Sequence, residues 1–286
     1  MKQLRIMGLC VAGVLALGLS IPMTSYGEAT PLLNVPYGSH ALQIMDIYPA
    51  SSSASPLVVL VHGGGWATGD KKAHHVEAEN LQAQGFAVFN IDYRLDSTTV
   101  SAFAMEVEDV EAAIRYAKAH AGSYGASPAK VVLIGGSSGG QLVGSAAELL
   151  NTSTVGTVKG VVTLSGTSDF TALLRDDRRG LLPPHFAKNL LQALGCKLET
   201  TCKTPSAEDW AIQWSPADQV TASSCPRAWL IFNSKAEGSL DQPNAMTNAL
   251  KRKHCRVTKD ILPGAKHAFG YWPTVEPIIV SFIRAL

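Results

Sequence analysis

The sequence carries almost no net charge. Over 286 residues, 24 lysines and arginines stand against 23 aspartates and glutamates, which leaves a formal charge of +1 at pH 7. Proteins that bind nucleic acid through its phosphates need clustered positive charge, so the balance gives no support for a nucleic-acid partner. Charged residues make up only 16% of the chain and hydrophobic residues 46%. This composition excludes an intrinsically disordered protein and is sufficient for one sizeable core.

Long hydrophobic runs are also scarce, and the single one is at the amino terminus. Residues 6–21 are almost entirely apolar, follow Lys2 and Arg5, and precede small and polar residues. This arrangement is typical of a secretory signal peptide, whereas a helix that spans a bilayer needs about 20 apolar residues. We therefore predict a signal peptide over residues 1–27, cleaved after Gly27 or Ala29. The protein is expected to be exported, periplasmic or secreted, without stable membrane insertion.

Cysteine is rare, with five in the chain. Cys10 lies within the predicted signal peptide, so four remain for the exported part: Cys196, Cys202, Cys225 and Cys255. An even number of cysteines in an oxidising compartment indicates disulfides. Four cysteines allow three pairings, and their spacing alone does not decide between them. The absence of a Cys-x-x-Cys pair argues against a zinc site.

Short β-branched runs alternate with helical patterns along the rest of the chain. Near-continuous apolar runs are typical of strands buried on both faces of a parallel sheet, and one apolar face recurs through the helical segment Phe103–Ala121. The predicted strands are Ala41–Tyr48, Leu57–Val61, Ala87–Tyr93, Lys130–Ile134, Val158–Leu164, Arg227–Asn233 and Arg256–Leu262. The alternation predicts an α/β fold with a mostly parallel central sheet flanked by helices.

The most specific chemical motif is Gly-Gly-Ser-Ser-Gly at residues 135–139. It directly follows the fourth predicted strand and precedes a helical pattern at Gln141–Leu150. A Gly-x-Ser-x-Gly motif in that context is a nucleophile elbow, in which the serine lies at the tip of a sharp turn. The motif predicts Ser137 as a nucleophile, with the N–H groups of the following helix directed at it.

A second glycine-rich motif, His-Gly-Gly-Gly-Trp at residues 62–66, ends another predicted buried strand. Acyl transfer passes through a tetrahedral oxyanion, which preorganised hydrogen-bond donors stabilise. We predict that the backbone N–H groups of Gly64, Gly65 and Ser138 form this oxyanion hole. A phosphate-binding loop is the alternative, but neither of the usual phosphate-loop patterns follows. His62 is predicted to brace the loop rather than to react.

A serine hydroxyl is a weak nucleophile at neutral pH and needs a base. His267 lies in a loop after the last predicted strand, where the base belongs in the chain order serine, acid, histidine. His74 and His75 fall on a helical stretch and are predicted to be solvated. The acid is expected after the sixth predicted strand, where Glu237 is the first choice and Asp241 the alternative.

Together these motifs resemble the α/β-hydrolase superfamily. The order of His-Gly-Gly-Gly-Trp, Asp-Tyr-Arg-Leu at 92–95, Gly-x-Ser-x-Gly-Gly and a late His-Ala-Phe is similar to that of hormone-sensitive-lipase-like carboxylesterases and their feruloyl and acetyl-xylan esterase relatives. The similarity covers residues 35–286. It implies an α/β-hydrolase catalytic domain over residues 28–286, with Ser137 as nucleophile and His267 as base. No metal or organic cofactor is implied.

The resemblance also bears on the acid and on the cysteines. The family's usual His-Gly-x-x-Asp stands here as Asn-Ser-Lys-Ala-Glu, ending at Glu237, which supports this residue by position. In the implied fold, the strands that follow Cys225 and Cys255 are parallel neighbours. This favours a disulfide between these two cysteines and leaves Cys196 to pair with Cys202.

One segment interrupts the alternation of strands and helices. Residues 168–216 are too long for an ordinary connection, and Leu190, Leu191 and Leu194 lie on one helical face within it. We predict that this segment is a cap over the site, which would limit the acyl pocket. A surface insertion that packs on itself is the alternative.

The sequence thus predicts an exported serine carboxylesterase of the carboxylic ester hydrolase class. It would act through an acyl-enzyme on a small-molecule or polysaccharide-linked ester with a short acyl group. An amidase, formamidase or small peptidase with the same catalytic group is the first alternative, and a non-catalytic binding module on a hydrolase scaffold is the second. Nothing in the sequence indicates the oligomeric state.

Overall fold

The structure is a computed structural model that describes residues 29–96, 103–195, 206–236 and 240–286. Four elements of the sequence predictions lie outside these described residues: the signal peptide, Cys196, Cys202 and Glu237.

Within the described residues, eight strands and nine α-helices alternate along the chain. The strands are β1 Leu32–Pro36, β2 Ile44–Tyr48, β3 Ser55–Val61, β4 Ala87–Ile91, β5 Ala126–Gly136, β6 Gly160–Leu164, β7 Ala228–Ser234 and β8 Val257–Leu262. The helices are α1 His75–Ala83, α2 Phe103–His120, α3 Ser138–Ser153, α4 Phe170–Arg178, α5 Pro184–Ala193, α6 Ser206–Trp214, α7 Pro216–Gln219, α8 Asp241–Arg252 and α9 Trp272–Arg284. Short 3₁₀ helices occupy Lys71–His74, Ala121–Tyr124 and Ala268–Tyr271.

The strands form one sheet in the order β1-β2-β4-β3-β5-β6-β7-β8. All pairs from β4 to β8 are parallel, whereas β2 pairs antiparallel with both β1 and β4. The predicted mostly parallel sheet is therefore confirmed. All seven predicted strands are present, and β1 is an additional strand that the sequence analysis missed. Its residues are mostly exposed, so it carries no buried apolar pattern that would identify it.

Helices cover both faces of the sheet and bury most residues of its central strands. Along β3, Leu57, Val59 and Val61 share a hydrophobic core with α2 and α3. The alternate residues Val58 and Leu60 share a second core with α1 and α9. Because successive side chains of a strand point to opposite faces, a continuous apolar run is what a strand between two helical layers requires.

A disulfide joins Cys225 and Cys255, whose Cα atoms are 5.6 Å apart. Each of these cysteines precedes a strand, β7 and β8 respectively, and the two strands pair in parallel. The bridge therefore lies at the amino-terminal edge of the sheet, opposite the edge at which β5 reaches the serine motif.

Among the described helices, none is both long enough and apolar enough to cross a membrane.

One carboxyl group in the core couples stability to pH. Glu148 of α3 is 1% exposed, and the hydroxyl of Ser224 hydrogen-bonds to its Oε2. Burial raises the pKa of Glu148 from 4.5 to about 8, against the opposing effect of Ser224. Between these two values the unfolded chain releases a proton that the folded protein keeps. The free energy of unfolding contributed by this group therefore falls as pH rises from about 4.5 to about 8.

We expect Glu148→Gln to weaken this pH dependence. The effect is about 1.4 kcal/mol for each pH unit within the window, so the variant should gain stability relative to the wild type as pH rises. Urea unfolding at about pH 5.5 and about pH 8 measures it. Glu108→Gln serves as the control because that side chain is 71% exposed. Parallel pH profiles of the wild type and Glu148→Gln would contradict the prediction.

Candidate active site

Ser137 occupies a strained turn between β5 and α3. Its backbone angles are φ 54° and ψ −124°, a left-handed conformation that side-chain-bearing residues rarely adopt. Its N–H donates to the carbonyl of Leu164 at the end of β6 (2.9 Å), and its own carbonyl accepts from the N–H of Gly140 (3.0 Å). The surrounding sheet and helix thus hold the serine in the strand–turn–helix geometry of a nucleophile elbow.

The loop after β3 packs against this turn, backbone to backbone. A Cβ atom on Gly63 would lie 2.8 Å from the carbonyl oxygen of Gly136 and 3.0 Å from Cβ of Ser137. A Cβ atom on Gly139 would clash with the carbonyl oxygen of His62. A side chain at either position would separate the two loops. This close approach explains why both motifs are rich in glycine.

His62 braces the loop through its ring and its carbonyl. Its Nδ1 lies 2.7 Å from the carbonyl oxygen of Gly63, and its ring stacks on Tyr93 with centroids 4.3 Å apart. The Tyr93 hydroxyl donates to the His62 carbonyl (2.9 Å). Burial lowers the pKa of His62, with the Gly63 hydrogen bond and the charge of Asp92 acting in the opposite direction. The contacts of His62 with Gly63 and Tyr93 therefore hold the loop in place, as predicted.

A buried charge cluster fixes the same loop to the sheet. The side chain of Lys71 is 2% exposed, and its Nζ lies 3.4 Å from Asp46 of β2 and 3.5 Å from Asp92, which follows β4. The same Nζ donates to Asn34 Oδ1 (2.8 Å), and the Lys71 N–H donates to Asp92 Oδ1 (2.6 Å). A buried lysine needs partners of this kind. The Asp-Tyr pair at residues 92–93 therefore holds the chain on both sides of the glycine motif.

The three predicted oxyanion donors lie at the junction of the two loops. Gly64 and Gly65 border a cavity together with Ser137. The N–H and the hydroxyl of Thr68 both donate to the carbonyl of Gly64, at 3.1 Å and 2.8 Å, which fixes that peptide. Ser138 is the first residue of α3, where backbone N–H groups have no partner within the helix. The junction therefore offers N–H groups to an anion.

His267 approaches from the loop after β8. It immediately precedes the 3₁₀ helix Ala268–Tyr271, and the N–H of Ala268 donates to Ser165 Oγ (3.1 Å), just beyond β6. His267 borders both of the cavities that Ser137 borders. The structure thus brings these two predicted site residues to the same carboxyl edge of the sheet, although 130 positions separate them in the chain.

Of the two candidates for the triad acid, the structure describes only Asp241. Glu237 lies outside the described residues. Asp241 is the first residue of α8, its side chain is 54% exposed, and its Oδ2 accepts a hydrogen bond from Nη2 of Arg175 (3.2 Å). Asp241 borders one of the cavities with His267, but its carboxylate is engaged with α4 at the solvent boundary.

Two cavities meet at Ser137 and His267. One, of about 570 Å³, lies over the loop of residues 62–70. The other, of about 700 Å³, extends along α4 and the start of α5. His185 and Phe186 of α5 border both cavities. Helices α4 and α5, within residues 168–216, therefore form part of the walls of these cavities.

Sequence reasoning missed several of these wall residues. The prediction that His74 is solvated is wrong: its side chain is 12% exposed and lies against Phe269, with ring centroids 4.0 Å apart. It borders the smaller cavity. In α5, Leu190 is fully buried, whereas Asn189 borders the cavity. The polar i, i+4 pair at 185 and 189, on one helix face, was the available signal.

The described residues contain no group of three or more histidine, cysteine, aspartate or glutamate side chains placed to hold a metal ion. Among the groups that the described residues place around the cavities are a serine hydroxyl and an imidazole.

Comparisons with known proteins agree with this geometry. The BD-FAE family model matches residues 45–250, more than half of the chain. Carboxylic ester hydrolase LipN of Mycobacterium tuberculosis is 35% identical over 112 residues, which are 38% of this chain and 29% of that protein. The chain spans less than a third of the length of the three curated relatives that it matches at 35–38% identity.

Solved structures show the same architecture. An inhibited esterase B from Lactobacillus rhamnosis has a TM-score of 0.73 at 18% identity, covering 90% of this chain and 85% of its own. A truncated carbohydrate esterase from gut microbiota has a TM-score of 0.73 at 23% identity, covering 90% and 96%. At these identities the likeness establishes the α/β-hydrolase fold. With the elbow, the glycine loop and the family match in agreement, the chain belongs to the BD-FAE family of α/β-hydrolases.

Proposed function

We propose that the protein is a serine carboxylesterase. The observation that carries the proposal is the strained turn at Ser137, which borders the same two cavities as His267. A serine held at positive φ between a strand and a helix exposes its hydroxyl to a substrate. Relatives and structural neighbours that carry esterase names support the same activity.

In the proposed reaction, His267 accepts the proton of the Ser137 hydroxyl as the oxygen attacks the ester carbonyl. The N–H groups of Gly64, Gly65 and Ser138 stabilise the oxyanion of the tetrahedral intermediate. As the intermediate collapses, the carbon–oxygen bond to the alcohol breaks and His267 returns the proton to the departing alcohol. Water then attacks the acyl-enzyme with the same base, releasing the acid and restoring Ser137.

We assign the triad acid to Glu237, with Asp241 as the alternative. The acid orients the imidazole and stabilises the imidazolium. Support for Glu237 comes from its place after β7 and from the pairing of Asp241 with Arg175. A carboxylate that is already paired with an arginine at the solvent boundary is a weaker partner for an imidazole than an unpaired carboxylate.

The substrate is proposed to carry a short acyl group and to be a small molecule or a polysaccharide-linked ester. Helix α5 borders both cavities and α4 borders the larger one, so the predicted cap at residues 168–216 would limit the length of the group that fits beside Ser137. The structural similarity to a carbohydrate esterase supports a polysaccharide-linked ester as the substrate. The apolar segment at residues 6–21 supports export with removal of a signal peptide.

The activity is tested with nitrophenyl esters of increasing acyl length and with the matched nitroanilides. We expect kcat/KM to be highest for short acyl groups and much higher for the ester than for the anilide. Ser137→Ala should reduce hydrolysis at least about 10³-fold and abolish labelling by a fluorophosphonate probe, because the nucleophile is lost. Ser153→Ala, at the exposed far end of α3, is the control.

Anilide hydrolysis at least as fast as ester hydrolysis would indicate an amidase or peptidase. A preference for acyl chains beyond about ten carbons, whose buried length adds about 0.8 kcal/mol per methylene, would contradict the short-acyl assignment. A wild-type protein that neither reacts with the probe nor hydrolyses any ester would indicate a binding module.

The acid assignment is tested by removing one carboxylate at a time. Glu237→Gln should lower kcat by about 10³–10⁴-fold with little change in KM, because the imidazole loses its orienting partner. Asp241→Asn should change kcat by less than about tenfold. The reverse pattern would move the role to Asp241.

Export is tested by the mass of the mature protein. When the full chain is expressed in a bacterium with a Sec pathway, we expect the protein outside the cytoplasm to begin at Glu28 or Thr30, as cleavage after Gly27 or Ala29 requires. A protein that retains Met1 and stays in the cytoplasm would contradict export.

A further inference from the structure

We propose that the carboxamide of Asn189 binds the alcohol part of the substrate and that this part is a neutral, hydroxylated group. The proposal rests on the proposed esterase function and adds a specificity-determining residue to it. The helix that carries Asn189 is α5, one of the elements between β6 and β7.

Asn189 stands against the proposed oxyanion loop. A Cβ atom built on Gly65 would lie 2.8 Å from Nδ2 of Asn189, so the carboxamide occupies the space that a side chain at residue 65 would need. His185 and Phe186, three or four positions earlier on α5, border the same cavity. Residues at this spacing share one helix face. The face of α5 that carries Asn189 is therefore the face that meets the substrate.

The position of α5 is fixed relative to the nucleophile helix. Phe186 packs against Trp66, with ring centroids 6.0 Å apart. The fully buried Trp66 donates from Nε1 to Oε1 of Gln141 in α3 (3.1 Å). Nε2 of Gln141 in turn donates to the carbonyl of Trp214 at the end of α6 (3.1 Å). Asn189 therefore belongs to a preorganised wall, which is what discrimination between substrates requires.

The hydrogen-bonding groups of Asn189 are available to a ligand. The side chain has two donors and one accepting oxygen, it is half-buried, and no described residue makes a hydrogen bond with it. Covering such a group with an apolar ligand costs free energy, because the group is then buried without a partner. A ligand hydroxyl supplies that partner. A site built this way rejects an analogue that lacks the hydroxyl.

The two cavities present different groups beside α5, and we assign the two parts of the ester on this local difference. Across the smaller cavity from α5 lie Thr68, Asp70 and His74, all capable of hydrogen bonding. The residues described around this cavity include no lysine or arginine, so no lysine or arginine among them would pair with a charged group on the alcohol. These walls suit a neutral hydroxylated group.

One wall of the larger cavity is aliphatic: Leu173 of α4 and Leu181, Leu182 and Pro183 of the connection to α5 border it there. Polar side chains, among them Thr167, Asn233 and Gln242, border it elsewhere. The carboxylates of Asp176 and Asp241 at this cavity are each within 3.3 Å of the guanidinium of Arg175. An ester extends two parts from its carbonyl carbon, so one part enters each cavity. The short acyl chain fits against the aliphatic wall of the larger cavity, and the hydroxylated alcohol fits the cavity of Asn189.

The test compares two esters that share an acyl group. Glycerol monobutyrate and propyl butyrate differ only in the hydroxyl groups of the alcohol. We expect the wild-type protein to favour the glycerol ester by about 10–100-fold in kcat/KM, and Asn189→Leu to reduce that ratio to near one. Lys188→Ala, at the exposed neighbouring position of α5, should keep the wild-type ratio. Asn189→Ser and melting temperatures control for misfolding.

Three results would overturn the proposal. In the first, the wild-type protein hydrolyses both esters at similar rates, which leaves the esterase function intact. In the second, the ratio survives in both folded variants of Asn189. In the third, the preference appears between methyl 3-hydroxybutyrate and methyl butyrate, and Asn189→Leu removes it there, which would place the hydroxylated group on the acyl side. Hydrolysis of neither ester by the wild-type protein would reject the proposed function as well.

Discussion

The site depends on the backbone contact between the loop after β3 and the turn after β5. Gly63 and Gly139 allow the two chains to approach until no side chain fits between them. Only then do the loop that carries Gly64 and Gly65 and the strained Ser137 border one cavity. The strain at Ser137 persists because parallel strands and a long helix over-determine the turn.

Buried polar groups keep this contact in place. Lys71 pairs with Asp46 of β2 and with Asp92, which follows β4, and so links the loop to the sheet. The ring of His62 stacks on the ring of Tyr93. A buried cation deprived of one carboxylate becomes uncompensated, which is costly. The charged residues near the glycine motif therefore hold the loop in position. The proposed reacting groups, Ser137 and His267, follow other strands of the sheet.

The segment between β6 and β7 supplies walls to both cavities at Ser137. Its helices α4 and α5 contribute an aliphatic wall to one cavity and a hydrogen-bonding wall to the other. Phe186 and Phe170 attach these helices to Trp66, which directly follows the glycines. The proposed substrate contacts and the proposed oxyanion donors therefore lie on neighbouring residues, with Asn189 beside Gly65.

The sequence by itself determined the sheet strands with buried apolar runs, the elbow at Ser137 and the family, because these depend on patterns within a few consecutive residues. Chain order also predicted His267 as the base, a residue that the structure places at the same cavities as Ser137. The mostly exposed β1 had no such pattern, and His74 was mistaken for a solvated residue. Only the tertiary structure decided that His74 and Asn189 border the cavity of Ser137. Their roles depend on contacts with Phe269 and Gly65, residues far away in the chain that packing alone brings near.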